Sequence, residues 1–173
     1  MKIIEAMKRV KLNEEKIADL QAKIAANCSN TTLDTPLYPE PRKKVEEWLQ
    51  SCTDLSLECT RLLCAIQRTN LATVVKIELA PNIVAEHSIA EWVWRRRKYA
   101  PLDLKTWQTL GDRNLREGQM ASTIPGQSPV EVKIMRHYDP VVRDGKTAMY
   151  RAEPTNIDSA LEIVNATTDL IEA

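Results

Sequence analysis

Apolar residues recur at three- and four-residue steps along the opening stretch of this chain. Ile3, Met7, Val10, Ile17, Leu20 and Ile24 form one stripe across residues 2–26, the period of an amphipathic helix. Glu14 and Gln21 interrupt it, which fits a coiled-coil-like seam better than a buried core helix. A second and longer stripe follows: Val45, Trp48, Leu49, Cys52, Leu55, Cys59, Leu62, Leu63 and Ile66. Between the two, SNTTLDTPLYPEPR (29–42) gathers turn formers and three prolines. Pro41 suits the first turn of the second helix because its φ is already fixed near the helical value. Two long helices joined by one loop make an antiparallel hairpin with their stripes facing each other.

The pattern then changes. Val75, Ile77 and Leu79 alternate ahead of Ala80-Pro81-Asn82, which predicts a short β-hairpin over 74–86. Ser88 with Glu91 three positions on forms a capping box for a third helix. That helix runs to about Ala100, where Pro101 kinks or restarts it towards Gly111. Residues 117–129 read as a linker, and Val130, Val132 and Ile134 alternate as a strand. Asp144-Gly145 is a two-residue hairpin signal. Pro154 then opens a last helix with Ile157, Leu161, Ile163, Val164 and Leu170 on its apolar side. The expected fold is mainly α: an antiparallel two-helix, coiled-coil-like hairpin with further helices and a small β-hairpin elaboration. Residues 1–116 would hold the hairpin, the β insert and the third helix. Residues 117–173 would hold the linker, a second β-hairpin and a C-terminal helix packing back on the same domain.

Composition narrows the chemistry. The 173 residues carry 24 basic and 24 acidic side chains, so no global field draws the protein to polyanions. Four glycines leave little material for phosphate-cradling loops, and neither nucleotide-binding glycine motifs nor a nucleophile elbow occurs. Cys28, Cys52, Cys59 and Cys64 lack metal-ligand spacing, and His87 and His137 lie far from them in sequence. No catalytic set, metal or cofactor is expected. Cys52 and Cys59 fall on the helix stripe and read as small buried hydrophobes. Asp139 and Asp144 read as turn residues and Glu153 as a helix-entry residue. No apolar run is long enough to span a bilayer or serve as a signal peptide, which leads to the expectation of cytoplasmic synthesis and a reducing compartment.

One segment invites a functional reading. EWVWRRRKYAP (91–101) interleaves aromatic and basic side chains, as surfaces that grip nucleic acid do. The same order also suits an ordinary helix, with Glu91 near its N-terminus and Arg95 to Lys98 near its C-terminus, where the macrodipole favours them. Arg96 could lie across the rings of Trp92 and Tyr99 on one face. The balanced charge favours the structural reading. Trp92, Trp94, Arg95, Arg96, Arg97, Lys98 and Tyr99 form the candidate interaction surface, for a protein partner first and for nucleic acid as the alternative.

MKIIEAMKRVKLNEEKIADLQAKI at the start, RTNLAT (68–73), SIAEWVWRRR (88–97) and NATTDL (165–170) together resemble the septicolysin-like proteins, a bacterial group of helical hairpin proteins. The resemblance implies that Arg68, Thr69, Asn70 and Thr73 at the end of the second helix belong to a scaffold. With them go Ser88, Ile89, Glu91, Arg95 and Arg96 on the third, and Asn165, Thr167 and Thr168 near the C-terminus. In that scaffold Arg68, Thr69, Asn70, Thr73, Glu91, Asn165, Thr167 and Thr168 would form a polar network knitting helix ends together. The family name evokes membrane activity, but no long amphipathic membrane hairpin is visible. The expected function is therefore a non-enzymatic, homo-oligomeric assembly protein that contacts itself and other proteins of a larger particle, such as a phage virion. A nucleic-acid-binding regulator and a membrane-active protein are the alternatives.

Overall fold

The computed structural model describes residues 1–120, 125–126, 128 and 130–171. The chain forms two compact units. One comprises Met1–Val75, His87–Ala90 and Ala160–Ala173; the other comprises Lys76–Glu86 and Glu91–Ser159. Neither unit is contiguous in sequence.

The first unit is built on the expected hairpin: α1 (Ile3–Asn27) against α2 (Pro41–Ala72). Its seam on α1 is Ile3, Ala6, Val10 and Asn13, all buried, continued by half-buried Ile17, Leu20 and Ile24. The steps alternate three and four, the coiled-coil repeat. Met7, expected on the stripe, is half exposed, and its neighbour Ala6 takes the seam position. On α2 the buried side is Trp48, Cys59, Leu62, Ala65, Ile66 and Thr69. Each aliphatic side chain so buried contributes about 1.5–3 kcal/mol. Leu49 and Leu63, placed on this stripe from sequence, are 52% and 46% exposed and lie outside it. Polar Asn13 sits in the seam on α1: it donates to Glu58 at 3.0 Å, and Arg9 pairs with the same carboxylate. As expected, Pro41 opens α2, and Tyr38 packs edge-on to Trp48 at 5.3 Å.

Beyond α2 the expected hairpin forms from β1 (Val74–Ala80) and β2 (Ile83–Ser88). Its two-residue turn holds Asn82 at φ 65°, a left-handed conformation that Asn tolerates. Ile77 and Leu79 are buried. Next come α3 (Ile89–Trp94), a π-helical segment (Arg95–Tyr99) and α4 (Ala100–Gln108). The wide turn has a local cause. Pro101 has no N–H for the helix ladder and its ring crowds the turn before it. The Ala100 N–H reaches back five residues to the Arg95 carbonyl, and the helix resumes with Pro101 in the first turn of α4.

The 117–129 stretch, expected as a linker, contributes β3 (Gly118–Met120), which pairs antiparallel with β4 (Val130–Val132) in the register Gly118↔Val132, Gln119↔Glu131 and Met120↔Val130. Most of the rest of that linker lies outside the described residues.

The largest correction concerns the hairpin at Asp144-Gly145. The chain there is α5 (Pro140–Thr167), a 28-residue helix with Pro154 inside it. Asp139 is its N-cap, accepting from the Val141 N–H at 2.8 Å, and Pro140 takes the first helical position. A glycine in a helix interior costs about 1 kcal/mol against alanine. That is a small cost beside a helical stripe that buries Glu153, Ile157 and Leu161. Asp144, read as a turn residue, faces outward and pairs with Arg143.

Candidate interaction surface

In the second unit the basic aromatic segment divides by burial. Trp92 is fully buried, so it is a core residue and leaves the interaction surface. Arg95 is held on three sides. Its Nε and Nη2 donate to the two carboxylate oxygens of Glu153 at 2.6 and 3.1 Å, and its Nη1 lies 2.7 Å from Asp103. The guanidinium also sits over the Tyr150 ring at 5.5 Å. Hydrogen bonding to Glu153, above all, drives the Arg95 pKa above the ordinary arginine range, against the opposing effect of burial. Arg96 pairs with Asp158 at 2.7 Å. The first two arginines are therefore anchored by α5.

What faces outward is Trp94 (61% exposed), Arg97, Lys98 and Tyr99, with the Lys98 ammonium over the Tyr99 ring at 5.6 Å. Sequence reasoning missed Glu153, Asp158 and Asp103 as partners. Glu153 was read as a helix entry because Pro154 follows it. It is instead a fully buried carboxylate in mid-helix.

In the first unit Met1, Lys2 and Ile3 meet the segment from Thr167 to Leu170. Lys2 and Asp169 form an antiparallel bridge, flanked by the Ile3 N–H to the Thr168 carbonyl (3.1 Å) and the Leu170 N–H to the Met1 carbonyl (2.8 Å). The Lys2 ammonium binds the Asp169 carboxylate at 2.8 Å and the Thr167 carbonyl at 2.7 Å. That ammonium holds the Asp169 carboxyl below its ordinary range, chiefly by hydrogen bonding. Thr69 is fully buried; its hydroxyl donates to the Ala65 carbonyl at 2.8 Å and accepts the Ile171 N–H at 2.9 Å. The Thr73 carbonyl accepts the Ile89 N–H at 3.0 Å.

Thr69 acts here through its hydroxyl, whereas Thr73, Thr167 and Thr168 contribute backbone carbonyls. Asn70 departs from the expectation: its Oδ1 is buried with no hydrogen-bond partner. Arg68 is exposed and Asn165 half-buried. Glu91 is exposed and belongs to the other unit.

Each unit carries a concavity among its described residues. In the first unit a groove of about 400 Å³ is lined by Met1, Arg61, Leu62, Cys64, Arg68 and Leu170 among others. In the second unit a hollow of about 340 Å³ includes Leu110, Asp112, Arg136, His137 and Tyr138. Arg136 grips Asp112 there at 2.6 and 2.7 Å and holds its carboxyl below the ordinary range.

Alongside the groove runs the outer side of α2, where Leu49, Leu57, Leu63 and Leu71 are 46–68% exposed. All four cysteines are free, with Cys59 buried as expected, Cys52 half-buried, and Cys28 and Cys64 exposed. Among the described residues no group of His, Cys, Asp and Glu could hold a metal ion, and no helix is long and apolar enough to cross a membrane.

No family model matches the chain. No curated protein matches it either. Its fold is similar to a crystal structure described as a functionally unknown conserved protein from Corynebacterium diphtheriae. The two are 18% identical over 99% of each chain, with a TM-score of 0.55.

Proposed function

We propose that this protein is a non-enzymatic, homo-oligomeric scaffold that acts through protein–protein contacts. The observation that carries this reading is the outer side of α2. A helix whose only task was to pack on α1 needs one apolar stripe. This one adds Leu49, Leu57, Leu63 and Leu71, each about half exposed or more, on sides away from its buried seam. Four half-exposed leucines on the free side of one helix are the feature that supports a contact site there. Incorporation into a larger particle such as a phage virion is the setting we propose, after cytoplasmic synthesis. A reducing compartment fits the free thiols of Cys28 and Cys64 at the surface.

Absolute mass by light scattering on a sizing column, at low and moderate salt, tests the reading. A discrete multimer supports it, and a single chain at both salts overturns it.

The nucleic-acid alternative has weaker support, because Arg95 and Arg96 are neutralised by Glu153, Asp103 and Asp158. It requires steeply salt-dependent binding that is lost on reversing Arg97 and Lys98. The resemblance to septicolysin-like proteins carries a membrane-active alternative, for which leakage of anionic vesicles is the measurement.

A further inference from the structure

Two of the exposed leucines on the outer side of α2, Leu57 and Leu71, share one row of the helix. The buried seam of α2 runs through Trp48, Cys59, Leu62, Ile66 and Thr69. A parallel series of exposed positions, Thr53, Leu57, Thr60, Cys64, Gln67 and Leu71, recurs at steps of four, three, four, three and four. Positions at this spacing stay on one side of the helix over several turns. The row is not an apolar seam like the buried one: between its two leucines lie threonine, cysteine and glutamine, small or uncharged side chains that permit close approach.

The charges flanking this row say what faces it. One flank carries Glu47 and Asp54 in the N-terminal half of α2, then Arg61 and Arg68 in the C-terminal half. They are spaced seven residues apart and all exposed. Such a row is self-complementary when two copies of the helix run antiparallel. With Leu57 opposite Thr60 of the second copy, Asp54 faces that copy's Arg61 and Glu47 faces its Arg68, each pair occurring twice. A parallel pair would set this charged row against the opposite flank of the second copy, Leu49, Ser56 and Leu63, and leave the charges unmatched. The opposite flank carries Leu49 and Leu63, 52% and 46% exposed. The groove of about 400 Å³ beside Arg61 and Arg68 lies along this face, so an incoming helix would cover it.

From this register we infer that α2 is the self-association surface: two copies pair antiparallel through their α2 helices about a two-fold axis near Leu57 and Thr60. A self-complementary patch of this type closes as a dimer. The inference rests on the proposal that the protein self-assembles and specifies how.

The test combines mass with a covalent probe. Light scattering is run on the wild type, on the double variant Arg61→Glu/Arg68→Glu, and on the charge swap that adds Glu47→Arg and Asp54→Arg. Circular dichroism confirms that each is folded. The expected result is a multimer for the wild type, a halved mass for the double variant and a restored mass for the swap. In parallel, Thr53→Cys is exposed to mild oxidation. Positions 53 and 64 lie roughly 16 Å apart on one helix, out of disulfide reach within a chain. The inferred register places them opposite each other across the two-fold, so a covalent dimer that vanishes with Cys64→Ser is expected. A multimer indifferent to the charge reversals and without the cross-link overturns the α2 interface while self-assembly stands. A wild type that is a single chain overturns both.

Discussion

Arg95 and Glu153, 58 residues apart in sequence, form a two-pronged ion pair whose carboxylate is fully buried. The pair decides what the RRRK run is. Its first arginine is an internal fastening between the π-helical segment and α5, with Asp103 and Tyr150 completing the enclosure. A buried pair of this kind contributes little net stability relative to apolar residues of the same volume, but losing one partner leaves an uncompensated charge.

Arg95→Ala should therefore cost about 3–5 kcal/mol in urea unfolding, and Glu153→Ala less, because Arg95 keeps Asp103 and is partly exposed. Replacing both together with Met and Leu should cost much less, a large coupling in the double-mutant cycle. Arg97→Ala, at an exposed position, should stay within about 0.5 kcal/mol of wild type.

Gly145→Ala separates helix from hairpin. In α5 the glycine has no positive φ, and an added Cβ meets nothing within 4 Å. The alanine variant should gain roughly 0.5–1 kcal/mol. A type I′ turn would instead penalise it, so the sign of the change in Tm identifies the local structure.

Thr69 and Asn70 are adjacent and should respond differently. Thr69→Ala removes the acceptor of the Ile171 N–H in a part-buried hydrogen bond and should cost about 0.5–1.5 kcal/mol, with faster hydrogen exchange at that amide. Asn70→Ala removes an oxygen that has no partner and should cost distinctly less than Thr69→Ala. Comparing the two melting temperatures checks it.

The Lys2–Asp169 bridge sets a pH dependence. Lys2 lowers the Asp169 pKa in the folded protein below its usual 3.8, so the bridge contributes fully above that value. Its contribution is lost as pH falls through the lower, folded-state pKa. Asp169→Asn should reduce Tm at pH 7, and the difference from wild type should close in strong acid. A constant gap across that range would contradict the assignment.

The repeat of α1 and α2 is visible in the chain because a long helix writes its buried side at three- and four-residue steps. Pro41 and Pro81-Asn82 likewise act within a turn of themselves, so the second helix and the first hairpin could be placed from sequence. Periodicity alone left open which neighbour joins the seam. Ala6 replaces Met7, and Leu49 and Leu63 drop out, because the angular position of α2 against α1 is a tertiary quantity. The same limit hid Glu153. Local signals at Asp144-Gly145 and Pro154 favour a turn and a helix start, each by roughly 1–3 kcal/mol. Continuous burial along α5 from Glu153 to Leu161 outweighs them. The sequence by itself determined the helical hairpin and its repeat, which are local and periodic. Only the tertiary structure decided which arginine is a fastening and which is surface, because a charge is classified by the carboxylate it meets, and Arg95 meets one 58 residues away.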